Sequence, residues 1–427
     1  MLKGRFTKKK GITENNKASN VSEESVKRTR TLYALFFLVI TSCLGEAFNI
    51  FGIKLSWIVA IITILFFIFE NKNKKIRFST CDIKKYVYFF IIWFGYATLQ
   101  MPFILNNDYA ISSYLSLIVN IFIVIILALN IHSIEDLVFI NKGLIVALVI
   151  HLSIAIWEIT TGNHIVDLSP EDFLFYYYKP VSVFVNGNDL ATFICFGIVS
   201  LLLNYAITKA NRLITFTLII ISIMVLININ ARAPIYGMLI YVLCFISLYI
   251  LFKIYKNNKL AFKVVTSMIL SFFIISIITL LASFSSEELV FKISSAGNLE
   301  SDILRLNLMK AAIEGFVNSN LLGMGPGQSI NLLGINVHNF FLEIMAEYGL
   351  IIFGGILMIF IQLLKVFKQK LPEFLTLCIM SFPPAFALIS IASSGAVRIR
   401  ATWIIITLLY FVISLYEKKK EEFIKGN

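Results

Sequence analysis

Polar and apolar residues alternate along this chain in long blocks, without the short periods of a soluble fold. Apolar runs fall at about 31–50, 53–70, 86–105, 110–130, 137–160, 187–207, 211–228, 235–256, 261–282, 340–364, 372–391 and 401–416. Most are close to the ~20 residues that a helix needs to cross the hydrocarbon core of a bilayer. The pattern predicts an all-α, polytopic membrane protein with about twelve transmembrane helices. The run at 53–70 is short, and the run at 340–364 is expected to begin as an interfacial helix. An even number of spans puts both termini on one side.

Composition agrees. Of the 427 residues, 58% are hydrophobic, and only 15% are charged, against about 25% in soluble domains. Thirty-nine phenylalanines suit a lipid-facing surface. A soluble enzyme, a disordered tail and a small secreted module are excluded. Cys43, Cys81, Cys195, Cys244 and Cys378 are scattered, odd in number and form no C-x-x-C pair. A disulfide framework and a zinc ribbon are thereby excluded too.

The net charge of +12 would suit a nucleic-acid partner, but its distribution argues otherwise. With the N-terminus inside, 29 of the 37 Lys and Arg fall in cytoplasmic segments. That is the positive-inside bias of a multi-pass membrane protein, and no nucleic-acid partner is needed. Residues 1–30 are then a basic cytoplasmic tail, not a cleavable leader. Residues 31–282 hold helices one to nine, 283–339 form a large extracytoplasmic loop, 340–416 hold helices ten to twelve, and 417–427 form a second cytoplasmic tail. A shorter outer loop, 161–185, carries Glu171, Asp172 and Tyr176–Tyr178.

Four arginines lie on the outside, where topology disfavours them: Arg232, Arg305, Arg398 and Arg400. Arg232 is expected in a six-residue turn, 229–234, and Arg398 and Arg400 beside another short turn. A guanidinium offers a rigid fork of donors that matches phosphate oxygens. The four therefore suggest a diphosphate site at the outer membrane surface. Ion pairs with outside acids or lipid headgroups are the alternative at any one of them.

His338 opens the segment running to Gly349. An imidazole can accept a proton near neutral pH, as a general base must. On spacing alone, a helix-capping or interfacial histidine is the favoured reading. Glu343 and Glu347 are four apart and share a helix face; they could hold His338 or a loop arginine, or face water. Asn186, Gly187 and Asn188 open the sixth span with capping chemistry. Gly323, Gly325 and Gly327 read as a turn that lets backbone approach something closely. His151, mid-span with Glu158 seven residues on, reads as a histidine bonded within the bundle. His132 and His164 are loop residues without an assigned partner. No Asp-x-Asp triplet exists, so the usual carboxylate pair for a metal-bound sugar diphosphate is missing.

Together these motifs resemble the O-antigen ligase / O-antigen polymerase superfamily of bacterial membrane glycosyltransferases. The resemblance rests on Arg305 and the following Leu321–Gly327 stretch, on His338-Asn339 nine residues before Gly349, on Ala231-Arg232, and on Asn186-Gly187-Asn188. Gly187 stands where the family's Asn-Pro-Asn motif has proline, and Met309 where its Arg-x-x-x-Leu motif has leucine. The resemblance covers about 185–355 by motif and nearly the whole chain by span count.

It implies transfer of a glycan from a polyprenyl-diphosphate-linked oligosaccharide to an acceptor glycan, at the extracytoplasmic face, with inversion and without metal or cofactor. It moves His338 to the favoured base, with Glu343 in the catalytic group. Arg232, Arg305, Arg398 and Arg400 would face the diphosphate. Asn186, Asn188, Gly325, Gly327 and Asn339 would position glycan or backbone. Expected partners are the lipid-linked donor, the acceptor, the bilayer, and flippase and chain-length regulator proteins. Polymerisation of repeat units is preferred over ligation of finished glycan on the Lys-, Ile- and Asn-rich composition. A secondary transporter or flippase is the reading from another class, disfavoured because no internal repeat is visible and the polar residues gather at the outer face.

Overall fold

The structure is a computed structural model, and it describes residues 30–44, 48–50, 53–72, 78–104, 107, 109–168, 178–184, 186–257, 299–334, 337–368, 371–391, 395, 397 and 399–425. The expected ninth span (261–282), most of the basic tail (1–29) and Arg398 lie outside these residues. The fold is all-α, apart from two two-residue strands, β1 (Asn49–Ile50) and β2 (Ile53–Lys54), paired antiparallel.

In chain order the helices are α1 (Arg30–Cys43), α2 (Leu55–Asn71), α3 (Cys81–Gln100), α4 (Ala110–Asn130), α5 (Ile134–Thr161), α6 (Gly187–Thr208), α7 (Arg212–Ile229), α8 (Arg232–Asn257), α9 (Leu299–Asn318), α10 (Gln328–Leu333), α11 (Phe340–Leu364), α12 (Glu373–Ile389) and α13 (Arg400–Lys425). Most coincide with an apolar run to within a few residues. Among the described residues seven helices are long and apolar enough to cross a membrane: α4, α5, α6, α7, α8, α11 and α13. The apolar helices α1, α2 and α12 are shorter. The protein is an all-α, multi-pass membrane protein.

Polar side chains end the helices. Ser133 and Asp136 form a reciprocal capping box at the start of α5, and Gly162 closes that helix in the left-handed conformation. Asn211 accepts from the backbone of Leu213 and Ile214 to start α7. The turn before α8 is tighter than expected. α7 runs to Ile229, Asn230 caps it at φ 58°, and α8 begins at Arg232. Pro234 is accommodated in the first turn of α8, where the backbone N–H it lacks would have no helical partner.

α13 and α6 form the centre and are largely buried, whereas α8 is mostly exposed and presents Leu239, Val242, Leu243 and Ile246 outward. That outward face is the one a bilayer would solvate. α8 packs along α12 with Gly237 at the contact, where a Cβ would stand 2.4 Å from Ile389 Cγ1. Small residues allow such close approach of membrane helices.

Hydrogen bonds tie neighbouring helices together at both ends of the bundle. At one end Thr31 donates to Glu70, and Ser79 donates to the Ile131 carbonyl. At the other, His151 Nε2 meets the Cys43 carbonyl at 2.9 Å, and Phe340 N donates to the Ser390 carbonyl at 3.2 Å. The second end gathers the starts of α4, α6, α8, α11 and α13.

Candidate functional site

The second end is organised around a break in α11. Gly349 has φ 72° and ψ −174°, a conformation essentially confined to glycine, and it divides α11 into a buried head, Phe340–Tyr348, and a long shaft. The run expected to begin as an interfacial helix thus begins as a separate helical segment. A break exposes carbonyls and amides that an unbroken helix would pair. Here the loop between α9 and α10 takes them. Met324 N donates to the Ala346 carbonyl at 2.8 Å and Gly325 N to the Glu347 carbonyl at 2.9 Å, while Leu350 N donates to the Leu321 carbonyl at 2.9 Å.

Glycine makes this contact possible. Gly323, Gly325 and Gly327 all have positive φ, and a Cβ on Gly323 would stand 2.5 Å from the Glu347 carbonyl oxygen. A Cβ on Gly327 would stand 2.7 Å from the Tyr109 carbonyl oxygen, at the start of α4. The glycine loop is therefore wedged between the break in α11 and the α3–α4 connection.

His338 stands just before the head of α11, half-buried, at φ 52°. Non-glycine residues in that left-handed region are uncommon and cost energy, which the surroundings must offset. Val337 beside it is fully buried with Ala312 of α9 and Ala346 of α11. Asn339 follows as the cap of α11: its Oδ1 accepts from Leu342 N at 3.1 Å, and its carbonyl accepts from Glu343 N at 2.9 Å. His338 is thus fixed on both sides, by a buried valine and by a helix cap.

Glu343 and Glu347 lie on the buried side of the head, at 4% and 1% exposure. Of the orientations open from sequence, facing water is set aside. Ser329 of α10 donates to Glu347 Oε1 at 2.5 Å. The buried Tyr348 follows them, its ring edge-on to Trp93 at 5.2 Å.

The arginines differ in setting. Arg232 is exposed at the first residue of α8. Arg305 lies within α9. Arg400, the first residue of α13, is buried and donates to Ser56 Oγ at the start of α2. The head of α13 also meets that of α11, since Trp403 packs against Phe340 at 5.5 Å. The structure therefore brings His338, Asn339, Glu343, Gly325, Gly327 and the α13 head into one cluster. Asn186 and Asn188 stand at the head of α6, where Asn186 accepts from Asn188 N at 2.9 Å as a helix cap. α6 meets the head of α8 through Cys195, whose thiol donates to the Pro234 carbonyl.

Two histidines resolve into structure. His151 is bonded within the bundle, between Ser182 Oγ at 3.0 Å and the Cys43 carbonyl. His164, a loop residue without an expected partner, pairs with Glu158 at 3.1 Å. Sequence reasoning also passed over Gln100, Tyr96 and Ser329. The signal for Gln100 was a polar side chain immediately before Met101-Pro102, at the outer end of an apolar run.

Comparison with known proteins bears on this cluster. A family model described as O-Antigen ligase matches residues 216–359, from α7 to the shaft of α11. That stretch holds Arg232, Arg305, Gly325, Gly327, His338, Asn339 and Glu343. The chain is also 22% identical over 400 residues, 88% of its own length and 80% of the relative's, to the teichuronic acid biosynthesis protein TuaE of Bacillus subtilis (strain 168). The resemblance to the O-antigen ligase / O-antigen polymerase superfamily is borne out by both.

Proposed function

We propose that this protein is a membrane glycosyltransferase of cell-surface polysaccharide biosynthesis, which polymerises polyprenyl-diphosphate-linked oligosaccharide units at the extracytoplasmic face. The observation that carries the reading is the convergence on the broken head of α11. There the glycine loop, the left-handed His338 and the buried Glu343 meet inside the stretch matched by the O-Antigen ligase family model. The likeness to a protein of teichuronic acid biosynthesis supports the polysaccharide setting.

In this reading His338 takes the proton from an acceptor hydroxyl as that oxygen attacks the anomeric carbon of the donor. The new glycosidic bond forms as the bond to the diphosphate breaks, with inversion, and the lipid diphosphate leaves with the electron pair. Charge building on the leaving group is met by arginine forks from Arg232, Arg305, Arg398 and Arg400. Glu343 holds and orients the base from the buried side of the head. Asn339 caps the helix that carries it, and Gly325 and Gly327 keep the loop seated. Asn186 and Asn188 line the glycan's path at the head of α6. The site end faces outward and both termini lie in the cytoplasm, following the 29-of-37 bias in basic residues.

The test is transfer from a lipid-diphosphate-linked oligosaccharide by purified protein in liposomes, with and without a strong chelator. A ladder of products that persists in chelator is expected. A single transfer to a terminal acceptor would make the protein a ligase. Activity abolished by chelator and restored by magnesium would overturn the arginine mechanism, and failure to consume any lipid-linked glycan would overturn the function.

A further inference from the structure

The proposed reaction needs the head of α11 held in one place, yet the loop that seats against it is tied through backbone. Side-chain ties come from α3. Gln100 Nε2 reaches three carbonyls, Leu322 at 3.1 Å, Gly323 at 3.3 Å and Glu347 at 3.1 Å. One helical turn earlier, Tyr96 OH donates to the Leu322 carbonyl at 2.6 Å. All three groups facing the Gln100 amide are acceptors, so its NH2 and not its oxygen must point at them. The glutamine thereby bridges both sides of the break, the loop at Leu322 and Gly323 and the helix at Glu347.

From this geometry we infer that Gln100, supported by Tyr96, is a positioning residue for the transfer reaction, acting by donation to the carbonyls exposed at the break in α11. The inference rests on the function proposed above. It adds α3 to the site, an element outside the matched stretch 216–359. Displacing the head would move His338 and Glu343 relative to a donor diphosphate gripped by arginines on other elements. A shift of about 1 Å at reacting groups can cost on the order of a hundredfold in rate. Binding of the donor would be spared, because no arginine shares the clamp.

The variants should fold. Without Gln100, the Glu347 carbonyl still accepts from Gly325 N and the Leu322 carbonyl from Tyr96 OH. Gln100→Glu is nearly isosteric but presents an acceptor where a donor is needed, so it separates donation from packing. Gln100→Ala removes both, and Tyr96→Phe removes the supporting bond alone.

The experiment compares the full-length variants in two readouts, amide hydrogen exchange of peptides covering Met324 and Gly325, and steady-state transfer from the lipid-diphosphate donor. Gln100→Glu and Gln100→Ala should each speed exchange there by about tenfold and lower kcat by about 10- to 100-fold, with KM for the donor within about twofold. Tyr96→Phe should move both readouts in the same direction by less. Unchanged exchange would overturn the clamp. Normal kcat in Gln100→Glu would overturn donation as its basis. A fall in kcat that only tracks loss of folded protein would reduce Gln100 to a structural residue. If the wild-type protein transfers no glycan, the proposed function fails, while the exchange readout still judges the clamp.

Discussion

Two acid-bearing helix ends face the same end of the bundle, and each fastens a loop in a different way. Near the end of α5, the buried Glu158 carboxylate accepts from Val181 N at 2.9 Å, from Ser182 N at 2.6 Å and from His164 at 3.1 Å. One side chain ties down the connection to α6. At the head of α11 the loop is fastened chiefly main chain to main chain, by Met324 N, Gly325 N and Leu350 N, with the neutral side chains of Gln100 and Tyr96 in support. The first arrangement commits a carboxylate to architecture. The second uses glycines, backbone and two neutral side chains, which in the proposed function leaves Glu343 and the neighbouring His338 for chemistry.

The comparison is broken most severely at the break itself. Gly349→Ala would place a Cβ 2.4 Å from the Leu322 carbonyl carbon, in a conformation that alanine does not tolerate. We expect a loss of stability on the order of 4 kcal/mol, measured as thermal unfolding in detergent. Unfolding like the wild type would mean that α11 is straight.

Next comes the side-chain tie. Glu158→Ala leaves the buried Val181 and Ser182 amides without their acceptor and should cost about 3 kcal/mol. Glu158→Gln keeps an oxygen for both amides and should cost about 1 kcal/mol or less. Limited proteolysis should cut Glu158→Ala, but not Glu158→Gln, within 162–184. Equal effects of the two would show that charge, not geometry, is what matters there.

The smallest effects sharpen the contrast between helix heads. Asn186 caps α6 and Asn339 caps α11, so each alanine variant should lose about 1 kcal/mol. Transfer should separate them: Asn339→Ala, beside His338, should lose about tenfold or more of kcat. Asn186→Ala should retain kcat with a raised KM if Asn186 contacts the glycan. Retention of both parameters would confine Asn186 to capping.

The helices were legible because the apolar runs are long and their ends are marked by capping residues such as Ser133, Asn211 and Gly162. The candidate site was legible in part. His338, the glycine triplet and Arg232 announce themselves by residue type at a helix boundary. The break at Gly349 was hidden because Leu350 and the shaft beyond it continue the apolar run without interruption. The contacts of Gln100 and Tyr96 with Leu322 join residues more than 220 positions apart, and no local period encodes that. The pairing of His164 with Glu158 was missed because the connection folds back on the helix it leaves.

In the proposed function the broken head of α11 carries the catalytic base. That assignment is tested most directly by transfer from a lipid-diphosphate-linked oligosaccharide, catalysed by purified His338→Ala in liposomes. The expected result is a fall in kcat of about 10²- to 10⁴-fold, with the unfolding temperature kept, because alanine removes the ring but not the buried Val337 or the Asn339 cap beside it. Transfer at near the wild-type rate by the folded variant would contradict it.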